Sequence, residues 1–117
     1  MAGFIWNEWN VAHVAKHGVT RRQAEYVVKH ARRPFPSYEG DDKWLVQGQD
    51  EDGNYLQVIY VLESDARGID YADLDLIDVS GDPDSVFVVH ARPLEDDEKR
   101  RLRRRRKGGP GAKGNRP

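Results

Sequence analysis

Two apolar runs stand on either side of a turn that has little freedom. Lys43-Trp44-Leu45-Val46-Gln47-Gly48 precedes Asp50-Glu51-Asp52-Gly53-Asn54, and Tyr55-Leu56-Gln57-Val58-Ile59-Tyr60-Val61-Leu62 follows it. Both runs are rich in aromatic and β-branched residues. An Asp-Gly pair between such runs is a strong short-range signal for a hairpin. The chain is therefore expected to build an antiparallel sheet around residues 43–62, and the other elements have to cover it.

Upstream, Phe4-Ile5-Trp6 reads as a short edge strand. Asn7 is suited to cap a helix over residues 8–16. Trp9, Ala12 and Lys16 share one face of that helix, and Val11 and Val14, or Ala12 and Ala15, fill its core side. Gly18 supplies the left-handed residue after the last turn. Thr20-Arg21-Arg22-Gln23 has the spacing of a capping box, so a second helix starts at once and runs to about residue 31. Its inward residues are Ala24, Val27 and Val28, and Pro34 and Pro36 end it.

Downstream of the hairpin, residues 63–84 form an acidic insertion punctuated by Gly and Pro, with Leu74-Asp75-Leu76-Ile77 as a brief strand inside it. Val86-Phe87-Val88-Val89 has the composition of a buried central strand. The last helix is expected from Pro93 to about Lys107. Acidic residues lie at its start and basic residues at its end, as the helix dipole favours. Residues 108–117 contain only Gly, Pro, Ala, Lys, Asn and Arg, a composition that predicts a disordered basic tail. Residues 1–107 thus predict one α+β domain: two N-terminal helices, an antiparallel sheet of three to four strands and a C-terminal helix.

The chain has no cysteine, which excludes disulfides and thiolate metal sites. No apolar run approaches the roughly 20 residues of a membrane helix, and the N-terminus lacks the apolar stretch of a secretory signal. A cytoplasmic protein is expected. The net charge of -1 conceals a strong segregation. Residues 1–38 carry six basic against two acidic side chains, residues 39–97 three against seventeen, and residues 98–117 ten against one. Ends and middle are therefore suited to different partners, or to each other.

Several pieces, taken in order, resemble a known family. They are Phe4-x-Trp6-Asn7, Asn10, Lys16-His17-Gly18-Val19 and Ala24, then Trp44-Leu45-Val46-x-Gly48 and Gly53-x-x-Leu56-x-Val58. Val88-Val89-His90-Ala91-Arg92 and Glu98 complete the series. Together they resemble the BrnT family of ribonuclease toxins, within the RelE-like superfamily, over most of residues 4–106. The resemblance implies the toxin of a type II toxin–antitoxin pair, which cleaves messenger RNA without a metal or other cofactor and is neutralised by a cognate DNA-binding antitoxin. A homodimer or a toxin–antitoxin hetero-oligomer is compatible with it. The chain departs from the family pattern at four positions. Lys43 and Asn54 stand where the family usually has arginine, His90 where it has serine or threonine, and Leu102 where a tyrosine is common.

Metal-free RNA cleavage needs a base for the 2′-OH, cationic donors for the phosphorane-like transition state and an acid for the leaving 5′-oxygen. The candidates are Lys16, His17, Lys43, His90 and Arg92, all at element ends, with Glu98 placed to orient Arg92. Each has a plainer alternative. Lys16 complements the dipole of the first helix equally well, His17 is better read that way, and His30 is a dipole partner at the end of the second helix. His13 and His17 have a metal-compatible i,i+4 spacing, but no third ligand is evident, so a surface pair is the better reading. His90 suits a buried strand end, Arg92 a salt bridge to Glu95 or Glu98, and Lys43 a guarded strand edge. The dense basic stripe of Arg100, Arg101, Arg103 and Arg104 suits a phosphate backbone or simply a solvated helix. The acidic insertion reads as a solvated loop or as a cover that competes with RNA for the basic groove.

Overall fold

The computed structural model describes residues 3–62, 76–78 and 85–107. The tail and most of the acidic insertion lie outside these residues. In chain order the elements are β1 (Phe4–Asn7), α1 (Glu8–Ala15), α2 (Arg21–Lys29), β2 (Ser37–Tyr38), β3 (Trp44–Gln49), β4 (Tyr55–Leu62), β5 (Leu76–Asp78), β6 (Val86–Pro93) and α3 (Asp96–Lys107). The architecture is α+β. The sheet has six strands in the order β2-β3-β4-β6-β1-β5.

The local signals act as expected. The Asn7 side chain accepts from the Asn10 N–H at 2.9 Å, and the Asn10 side chain answers by accepting from the Asn7 N–H at 2.7 Å. Thr20 and Gln23 form the same reciprocal box at the start of α2. Gly18 has φ 76° and Gly53 φ 86°, the left-handed conformation that a side chain would strain. In the hairpin turn, the Asp50 carboxylate accepts from the backbone N–H groups of Asp52 and Asn54, from the Asn54 side chain and from Gln23. Asn54 is thus built into the turn.

Three expectations are corrected. The sheet is mixed and wider than three to four antiparallel strands, because β1 pairs in parallel with β6 through Phe4↔Val86 and Ile5↔Phe87. β1 is consequently an interior strand, with β5 antiparallel on its other side. All four of its residues are buried. The last helix starts at Asp96, since Pro93 still belongs to β6 and pairs with Leu56.

After Ile5, β1 leaves β6 and α1 takes its place. Asn10 sits at that branch, fully buried, and its Nδ2 donates to Ile5 O at 3.0 Å and Val88 O at 3.1 Å. Those carbonyls thereby gain partners where the strand ladder ends. Trp6, also fully buried, donates its indole N–H to Glu25 at 2.7 Å and ties β1 to α2. The main core joins these residues to Val14 of α1, Ala24 and Val27 of α2, Val46 and Val58 of the hairpin, and Ala91 of β6. Ala12 and Ala15 of α1 are exposed, so Val14 is the core residue of that helix. Leu102 of α3 joins the same core, which accounts for an apolar residue at that position.

β6 carries a bulge. Ile59 pairs with His90 and Tyr60 with Val88, which leaves Val89 as an extra residue. Side chains alternate along a regular strand, so a one-residue insertion reverses which face the following residues occupy. Val86 and Val88 lie in the main core, and without the bulge His90 would point there too. With it, Ala91 takes the core position. His90 and Arg92 face the other way, together with Ile59 and Gln57 of β4 and Gln47 of β3.

Candidate active site

Three elements from distant parts of the sequence meet on this second face of the sheet. β6 supplies His90 and Arg92. From α1 and the residues just after it come Trp9, His13 and His17, one turn apart. α3 supplies Glu98.

The histidines form a cluster. The His17 and His90 ring centroids are 5.1 Å apart and the His13 and His90 centroids 6.1 Å apart, both pairs edge-on. Trp9 stacks on His13 at 4.8 Å and lies nearly parallel to Phe87 at 6.2 Å. His17 is exposed, whereas His13 and His90 are half-buried. Burial pushes the His90 imidazole below the usual histidine range, and His17, His13 and Arg92 push it the same way. His90 is therefore neutral at neutral pH, with a basic ring nitrogen to offer. Among the described residues, no group of three or more His, Asp or Glu side chains has the arrangement of a metal site.

Arg92 is held on the same face. Its guanidinium donates to both oxygens of Glu98 at 2.8 Å and to the Pro93 carbonyl at 3.0 Å. Glu98 also accepts from the Glu95 N–H at 2.8 Å, which fixes it at the first turn of α3. Arg92 is thereby locked in orientation, with Glu98 as the orienting carboxylate. The hydrogen bonds from Arg92, then from the Glu95 N–H, hold the Glu98 carboxyl down at about 2. A carboxyl lowered from 4.5 stabilises the fold above pH 4.5 and loses that contribution as pH falls towards 2. Glu98→Gln is accordingly expected to cost about 1–3 kcal/mol at pH 7. In urea unfolding the gap between the two proteins should narrow steadily between pH 5 and pH 2.5. An equal gap at both ends would show that the ion pair is not its source.

The other candidates are placed as follows. Lys16 closes α1, its N–H bonded to Ala12 O at 3.1 Å, and its side chain is exposed beside His17. Lys43 precedes β3, its carbonyl accepting from the Glu39 N–H at 2.8 Å, and its side chain is exposed. Neither lysine side chain has an ion pair or hydrogen bond among the described residues, and no described contact links Lys43 to the histidine cluster. Along α3, Arg101 pairs with Asp97 at 3.5 Å and Arg103 lies 5.3 Å from the centre of the Tyr55 ring. Arg100 and Arg104 are exposed and without such partners among the described residues. His30 bonds the Tyr26 carbonyl at the end of α2 and stacks on the Tyr26 ring at 4.0 Å, away from the cluster.

Sequence reasoning listed His17 and His90 for one site, but it left His13 out of that site and did not place Trp9 beside them. The i, i+4, i+8 spacing of Trp9, His13 and His17 is visible in the sequence. What it faces is fixed by the β1–β6 pairing and the bulge, which leave no local signal. No described helix is long and apolar enough to cross a membrane. The chain matches no family model, no curated protein and no solved structure.

Proposed function

We propose that this chain is an endoribonuclease that cleaves messenger RNA by attack of the 2′-OH, acting as the toxin of a type II toxin–antitoxin pair. The single observation that carries the reading is the His17–His90 pair on the sheet face that also holds Arg92. A neutral imidazole beside a second, exposed imidazole provides the base and the acid of such a cleavage. His90 takes the 2′-OH proton, and the 2′-oxygen forms a bond to phosphorus. The P–O5′ bond breaks, and His17, as the general acid, gives a proton to the departing oxygen. The products are a 2′,3′-cyclic phosphate and a 5′-OH. Arg92, oriented by Glu98, supports the charge on the non-bridging oxygens, and exposed Lys16 adds positive charge on the His17 side. Arg100 and Arg104 on α3 serve as contacts for the RNA backbone, with an affinity that falls as salt rises.

The test is incubation of purified protein with RNA in excess chelator. Cleavage should persist and leave 2′,3′-cyclic phosphate ends, and it should be lost in the doubly substituted His17→Ala, His90→Ala protein. A 3′-OH product, or dependence on added divalent ions, would overturn the mechanism. A second reading keeps the fold and the basic helix but assigns RNA or protein binding without turnover. Asn54 favours it, because it serves the Asp50 turn and brings no positive charge. Binding without cleavage in the same assay would select that reading.

A further inference from the structure

Trp9 has no part in the proton transfers above, yet it is 49% exposed. Only Tyr38 among the described residues is another large hydrophobic so open to solvent. A protein-docking surface gathers several apolar side chains into one patch. Trp9 has instead one imidazole neighbour, His13, and one buried apolar neighbour, Phe87. It stacks on His13, and His13 and His17 both touch His90. A half-exposed indole that packs on His13 and next to the buried Phe87 ring, at the end of the histidine cluster, suits a nucleobase.

We infer that Trp9 is a stacking platform for an RNA base beside the cleaved bond, at the far end of the histidine stripe from His17. This inference rests on the ribonuclease reading and adds to it a base-binding subsite. The His13 ring stands between Trp9 and the catalytic pair, with its centroid 4.8 Å from that of Trp9 and 6.1 Å from that of His90. The stacked base is therefore a neighbour of the scissile nucleotide and not the scissile nucleotide itself. Stacking tolerates any base, so Trp9 contributes affinity and register while sequence choice lies elsewhere. His13, sandwiched between the indole and His90, holds the platform in line with the catalytic pair.

The experiment measures binding of 2′-O-methyl RNA oligonucleotides, which cannot be cleaved, by fluorescence anisotropy. Wild type, Trp9→Ala and Trp9→Phe are compared, with thermal melts to verify folding. Trp9→Ala should weaken binding about 10-fold or more, and Trp9→Phe should retain most of the affinity. Removing one base at a time from the oligonucleotide should reveal one position whose loss weakens wild type but leaves Trp9→Ala unchanged. Equal affinity of all three proteins overturns the inference, including the case in which Trp9→Ala instead alters self-association. The ribonuclease reading is separated by unmodified RNA. Cleavage by wild type with Trp9-independent binding rejects the platform alone. Trp9-dependent binding without cleavage keeps the platform and rejects the enzyme. A wild-type protein that binds no RNA rejects both.

Discussion

Under the proposed ribonuclease mechanism, His90→Ala is expected to lower RNA cleavage by about 100- to 10,000-fold, the range that a positioned general base contributes. His90 is half-buried and packs no core residue out of place, so the variant should melt near the wild-type temperature. The pH profile carries more information than the loss itself. A base must be unprotonated, so wild-type kcat/KM falls where His90 takes up a proton. Because His90 lies below its ordinary 6.5, that acidic limb lies below 6.5 as well. Burial is the main cause and is unchanged by mutation elsewhere, but His17 and Arg92 contribute. Arg92→Gln removes one positive neighbour, so His90 should bind its proton more readily and the acidic limb should move to higher pH. A dinucleoside substrate followed from pH 4 to pH 9 reads both effects. An unmoved limb in Arg92→Gln, or a His90→Ala enzyme as fast as wild type, would remove His90 from the role of base.

The second large effect falls on stability. Asn10→Ala should destabilise the domain by about 3–5 kcal/mol, against a total of about 5–15 kcal/mol for a typical domain. Three buried groups depend on this one amide: the carbonyls of Ile5 and Val88 and the N–H of Asn7. Alanine leaves them without that partner in a site closed to water, and each stranded group costs about 1–3 kcal/mol. Asn10→Asp should be nearly as damaging, since it restores the acceptor for Asn7 but turns a carboxylate oxygen towards two carbonyls. Urea unfolding followed by tryptophan fluorescence measures both. A cost under about 1 kcal/mol for Asn10→Ala would mean that the branch between β1 and β6 satisfies its carbonyls by another route.

Much of the secondary structure was legible because its causes are local. Asn7 with Asn10, Thr20 with Gln23, and Gly18 each act within a few residues, and the Asp52-Gly53 turn fixes the hairpin over the same short range. Even Arg92 and Glu98, six residues apart across a strand-to-helix turn, could be paired from the sequence. What was not legible is long-range. A parallel partner for β1 leaves no trace in the periodicity of Phe4-Ile5-Trp6. The bulge is hidden in Val86-Phe87-Val88-Val89, where every residue is apolar and no alternation exists to be interrupted. The meeting of His17 with His90 depends on both features. The candidates and their common role were therefore visible, while the contacts among them required the fold. Leu94 of the β6–α3 link and Leu102 show the same limit, since nothing near them in sequence announces that they complete the core.

The parallel pairing of β1 with β6 has a consequence for folding. β1 has to wait for residues 86–93 before it can be zipped into place, a closure that joins Phe4 to Val86 across most of the described chain. Until that pairing is made, His17 and His90 have no shared sheet face on which to meet.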